Sequence, residues 1–163
     1  MQTIPISAID DAWAEIMEAE ETGSPELIDE FASEQPFIMT YLVSVEEEIE
    51  KLDDRGSIIL YGMWAWLSFK YNGRSGTIVT AATIENARNA NVKEMEELSA
   101  AGTTAHSKAS IDLTHSYRQM PLLSAILTNV SEGAVESMHH LDDINGLILL
   151  EMKTVIDALE ATP

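Results

Sequence analysis

The chain has 163 residues, 28 Asp or Glu against 9 Lys or Arg, a formal charge of −19 and no cysteine. A surface this negative repels DNA, RNA and anionic membranes, and the missing thiols exclude disulfides and thiolate chemistry. An apolar share of 45% is that of a folded globular protein rather than a disordered acidic tail, and the length suits one domain spanning 1–163.

The opening stretch MQTIPISAIDDAW is acidic and has no apolar signal segment, so a cytoplasmic protein is expected. Ser7 is placed to cap a first helix, with Asp10 at the N3 side of a capping box. Ile9, Trp13, Ile16 and Met17 follow at helical spacing. Gly23 ends that helix, and Ser24-Pro25-Glu26 starts the next as cap, proline at N1 and acid in the first turn. A third helix begins at Pro36, with Phe37, Ile38, Tyr41, Leu42 and Val45 inside and Glu46, Glu47, Glu48 and Glu50 outside.

The segment 56–69, GSIILYGMWAWLSF, carries no charge between Arg55 and Lys70. A helix apolar nearly all round sits in the middle of a structure. At about 14 residues it is shorter than the roughly 18 that suggest a membrane span. After it, 72–79 holds two glycines and reads as a loop or short extended piece. Thr80 caps a long polar helix over 81–99, in which Ile84, Ala87, Val92, Met95 and Leu98 form a thin apolar seam. Residues 101–110 read as a small-residue linker, and two or three short elements are expected across 110–131. An acidic loop over 132–142 leads to a second core helix over 142–160. The only strand candidate is TIVT at 77–80, too short to build a sheet. The fold expected is therefore all-α, a compact bundle of seven to eight helices.

A faint repeat organises these elements. EQPFIMTYLVSV (34–45) aligns with QMPLLSAILTNV (119–130), matching Pro36 with Pro121, and GSIILYG (56–62) aligns with GLILLEM (146–152), matching Gly56 with Gly146. Two related helical hairpins, 34–69 and 119–159, would pack core helix on core helix, joined by the long helix 81–99.

Candidate chemistry is sparse. Glu136 stands one turn before His139 and His140, near Asp142 and Asp143. Glu-x-x-His is half of a di-iron four-helix site, but the motif occurs once, so no metal or other cofactor is expected. Glu46, Glu47 and Glu50 form Glu-Glu-x-x-Glu on a helix. That pattern resembles the first half of the all-α nucleotide pyrophosphohydrolases of the MazG type. The resemblance covers about five of the 163 residues and implies Mg²⁺ held by acids from two neighbouring helices. The following helix should then supply Glu-x-x-Asp, whereas residues 56–81 hold no acid. Serines lack a Gly-x-Ser-x-Gly context, and Gly73-Arg74-Ser75-Gly76 lacks a Walker lysine.

Charge and aromatics point to contacts instead. Residues 1–54 carry 16 acids against Lys51, while 55–81 carry Arg55, Lys70 and Arg74 and no acid. Trp64 and Trp66 lie about 200° apart on a helix, so one inner face cannot take both. A second subunit would cover the extra side, making Trp66, Trp64 and Tyr61 interface candidates. The expected role is protein interaction or structure, as a homodimer, with a basic protein as a possible partner and neither nucleic acid nor membrane. The alternatives are a Mg²⁺-dependent nucleotide hydrolase using Glu46, Glu47 and Glu50, and a binder of a small apolar ligand lined by Tyr41, Tyr61 and Trp64.

Overall fold

The computed structural model describes residues 2–50, 58–74, 76–100, 117–133 and 141–163. Seven helices and no strand lie in these segments, which fits the expected helical class and count. Helix α1 spans Ile6–Thr22. It starts at Pro5, whose extended backbone aims its carbonyl at the N–H groups of Ala8 and Ile9, 3.0 and 3.3 Å away. The Ser7–Asp10 capping box is not formed: Ser7 already lies inside the helix, and the proline's fixed φ sets the start instead. Gly23 closes α1 in the left-handed conformation, φ 64°, where its N–H and that of Ser24 reach the carbonyls of Glu20 and Ala19. Glycine takes this conformation without a Cβ penalty.

Helix α2, Glu26–Glu34, has Glu26 and Asp29 in its first turn, favourable to the helix dipole. Ser24 Oγ accepts the Glu26 N–H at 3.4 Å, and Pro25 occupies the cap position rather than N1. Helix α3 spans Pro36–Glu50 and α4 spans Ile58–Tyr71. Every residue of α4 from Gly62 to Phe69 is buried, because α1, α3 and the last helix, Leu141–Ala161, pack round it and α2 and the helix Met120–Gly133 touch it. Helix α3 crosses α4 closely at Gly62, where an added Cβ would run into the fully buried Leu42.

The segment 77–79 is neither helix nor strand. Gln35, 4% exposed, clamps it: Nε2 donates to the Thr77 carbonyl and Oε1 accepts the Val79 N–H, both at 2.9 Å. Helix α5, Ala81–Ala100, starts as expected, with Thr80 Oγ1 accepting the Thr83 N–H at 3.2 Å. Of the range 110–131, residues 117–131 are described and hold helix α6 (Met120–Gly133); 110–116, where the other short elements were expected, lie outside the described residues. Helix α7 spans Leu141–Ala161 and buries Ile148, Met152, Val155, Ile156, Ala158 and Leu159.

Helix α3 packs on α4, α6 on α7, and α4 on α7, while α5 lies mainly along α7. Core helix therefore meets core helix. Gly146 falls inside α7 rather than at its start, and its match Gly56 lies outside the described residues. No helix of the described residues is long and apolar enough to cross a membrane.

Candidate functional site

Both tryptophans of α4 are covered by this chain itself. Trp64, 4% exposed, packs on Trp13 of α1 with ring centroids 4.3 Å apart and donates Nε1–H to the Ile9 carbonyl at 2.9 Å. Trp66, 3% exposed, packs on Phe31 of α2 at 5.2 Å and donates to Glu34 at 3.2 Å. No single inner face takes both rings, and this chain by itself supplies cover on each side. Two different helices, α1 and α2, lie on opposite sides of α4 and take one ring each. Tyr61 is half-buried and bonds Asn129 of α6 at 3.3 Å, its burial raising the hydroxyl pKa.

The isolated bases are also accounted for. Lys70 reaches Glu30 and, at 2.9 Å, Glu34, while lying 4.9 Å above the Trp66 ring. Burial acts to lower its pKa, but the two glutamates outweigh this and raise it. Arg74 donates to the Glu160 carbonyl at 3.1 Å. Arg55 lies outside the described residues.

A polar seam joins α5 to α7. Glu151, 1% exposed, accepts from Tyr41 of α3 and, at 3.3 Å, from Arg88 of α5. Desolvation pushes its carboxyl up to about 7, since Arg88 is itself 41% exposed and its charge is screened by water. Further along, Lys153 donates to Asn91 at 2.6 Å and Asp157 at 2.9 Å, and pairs with Glu94 at 3.3 Å. Asn91 Nδ2 donates to Asp157 at 3.0 Å, and the Tyr117 hydroxyl donates to the same carboxylate at 2.8 Å. Burial first, then Asp157, hold the Tyr117 hydroxyl far above its ordinary pKa. These groups satisfy one another, the expected state for polar groups inside a protein. Glu151 was not a sequence candidate. Its signal was available: one acid in the run Leu147 to Ile156, on the same side of the helix as Ile148 and Val155.

An open cleft of about 410 Å³ runs between α1 and α6. Ile6, Ile9, Asp10 and Trp13 form the α1 wall, Pro121, Ser124, Ala125, Thr128 and Asn129 the α6 wall, and Trp64 contributes from α4. Ile6 stands 67% exposed at its mouth. The spacings i, i+3, i+4, i+7 on both helices are what places each set on one face. Of Tyr41, Tyr61 and Trp64, only Trp64 lines this cleft; Tyr41 is engaged with Glu151 and Tyr61 with Asn129.

The surface of α1–α3 is acidic. Asp10, Asp11, Glu18, Glu20 and Glu21 of α1 are exposed, as are Glu26, Asp29, Glu30, Glu47 and Glu48. Among the described residues, only Glu30 and Glu34 of α1–α3 pair with a base, both through Lys70. Glu46 is half-buried, and the side chain of Glu50 lies outside the described set. Glu136, His139 and His140 also lie outside it, as does the side chain of Asp142 at the start of α7. Among the described residues, no group of three or more His, Asp or Glu side chains is placed to hold a metal ion.

Comparison with protein-family models, with curated proteins and with solved structures finds no match to the chain.

Proposed function

We propose that this chain is a protein-interaction module whose acidic α1–α3 surface takes a basic protein partner. The observation that carries the reading is the one-sided charge of that surface. Among the described residues its carboxylates stand in water without cations of their own apart from Lys70, so they act together as an attractive field for a positive surface. Carrying unpaired like charges costs stability through self-repulsion, and a cationic partner offsets that cost. The buried polar groups, by contrast, are occupied with one another and offer little to a substrate.

Titration calorimetry with an amphipathic Lys/Leu peptide and its Glu/Leu counterpart tests this. The Lys/Leu peptide should bind, and its affinity should fall at least about tenfold between about 50 and about 300 mM NaCl as the charges are screened. The Glu/Leu peptide should not bind. Absence of Lys/Leu binding at low salt overturns the proposal.

A further inference from the structure

We infer that α5 is a releasable helix: it lifts off α7 as a unit while the other described helices stay packed, and a rise in pH through neutrality releases it by ionising Glu151, the carboxyl it helps to cover. Little of α5 is both apolar and buried. Among its described side chains only Ile84 and Asn91 are buried, and Asn91 is polar. Ile84 and the half-buried Ala87 are its contributions to the apolar core, while Val92, Met95 and Leu98 are half-buried further along. In α4, by contrast, the whole run from Gly62 to Phe69 is buried. Apolar burial is the main favourable term in folding, and elements with few buried apolar contacts open locally at a lower cost than global unfolding.

Polar contacts hold α5 in register. Arg88 donates to Glu151 at 3.3 Å, and Asn91 Nδ2 donates to Asp157 at 3.0 Å and to Thr154 at 3.4 Å. Lys153 donates to Asn91 at 2.6 Å and pairs with Glu94 at 3.3 Å. Water replaces each of these partners once the helix lifts, so their net hold is modest. The hinge lies at Thr80. Just before it, Gln35 grips the Thr77 carbonyl and the Val79 N–H, and the Val79 side chain is fully buried, so the chain entering α5 stays anchored.

Glu151 supplies the pH response. It meets Tyr41 of α3 and Arg88 of α5, while α4 and α6 give it no hydrogen-bond or ion-pair partner among the described residues. On α7 itself Lys153 turns away to Asn91, Glu94 and Asp157. A neutral carboxyl is at ease in this place. A carboxylate there is costly, and the charge of the partly exposed Arg88 offsets only part of that cost. Lifting α5 hydrates the carboxylate, so ionisation and release favour each other. Burial holds the docked carboxyl near 7 against an ordinary 4.5, so docking is favoured most below about pH 4.5 and weakens as pH rises through about 7.

Hydrogen exchange of the full chain, followed by mass spectrometry at pH 6 and pH 8 with intrinsic rates corrected, tests this. Amides of 86–95 should open at least about a hundredfold more readily than those of 62–69 in α4. From pH 6 to pH 8 the opening constant of 86–95 should rise about tenfold. In Glu151→Gln that rise should vanish, while α5 still opens ahead of α4. Arg88→Met, at a partly exposed position, should raise the opening of α5 more at pH 8 than at pH 6. Equal opening of α5 and α4 in the wild type shows one cooperative unit and overturns the releasable helix. The same pH response in Glu151→Gln as in the wild type, or an equal effect of Arg88→Met at both pH values, overturns the switch.

Discussion

Tyr41 of α3 donates its hydroxyl to the carboxylate of Glu151 of α7, a residue 110 positions further along the chain. Arg88 of α5 reaches the other oxygen of the same carboxylate. One buried acid thus joins three helices. The joint is built from the only charge on the inner face of α7 between Leu147 and Lys153.

The pH dependence of that joint follows from burial. Its carboxyl has a folded-state pKa near 7, above its ordinary 4.5. The folded state therefore holds the proton more tightly than the unfolded chain. The contribution of Glu151 to stability is full below about pH 4.5 and is lost as pH rises through about 7. Glu151→Gln cannot ionise, so its stability relative to the wild type should improve from pH 5 to pH 8, by on the order of 1–3 kcal/mol. Urea denaturation at both pH values checks this. A difference that is flat with pH would contradict it.

Trp66 is a core residue, sandwiched between Phe31, Glu34 and Lys70. Trp66→Ala should cost about 3–5 kcal/mol of folding stability. Trp66→Phe keeps most of the packing and loses the bond to Glu34, which should cost less. Sedimentation should give the same mass for the Phe variant as for the wild type, whatever that mass is. A change of mass would return Trp66 to the role of an interface residue.

The crossing of α3 over α4 rests on the missing side chain of Gly62. Gly62→Ala would drive a methyl into Leu42, which has no solvent to move into. The expected loss is about 1–3 kcal/mol, an overpacking cost that outweighs the better helix propensity of alanine. The same substitution made in a Leu42→Ala background should cost much less, because the clash is gone. Thermal melts of the four proteins in the cycle measure it.

Gln35 uses both ends of its amide, one as donor to Thr77 and one as acceptor from Val79. Gln35→Glu keeps the shape and the acceptor but sets a carboxylate oxygen against the Thr77 carbonyl. A loss of about 1–3 kcal/mol is expected at neutral pH. Protonation near pH 4 restores a donor, so the new carboxyl should have a raised pKa and the variant should recover toward the wild type as pH falls. Equal destabilisation at both pH values would show that the clamp does not depend on the donor.

Much of the fold was legible because local chemistry decides it. Gly23 ends α1 through a left-handed φ, Thr80 caps α5 with its hydroxyl, and α4 announces its central place by having no charged face. Ser7 was a chemically sound cap, but Pro5 had already fixed the start of the helix. TIVT, too short to build a sheet, pairs with no strand among the described residues, and its polar backbone groups meet the side chain of Gln35.

The two tryptophans mark the boundary between the kinds of information. Their spacing determined that they leave α4 on opposite sides. Whether a neighbouring helix of the same chain or a second molecule lay on each side was a question of three-dimensional packing, and α1 and α2 answered it. The same holds for Glu151: the sequence placed a carboxylate on the apolar face of a helix, and only the approach of Tyr41 and Arg88 from two other helices decided that it would be satisfied there. The α1/α6 cleft belongs wholly to the tertiary structure. Its walls come from residues more than a hundred positions apart, and helical periodicity sets which residues share a face but not which face meets which.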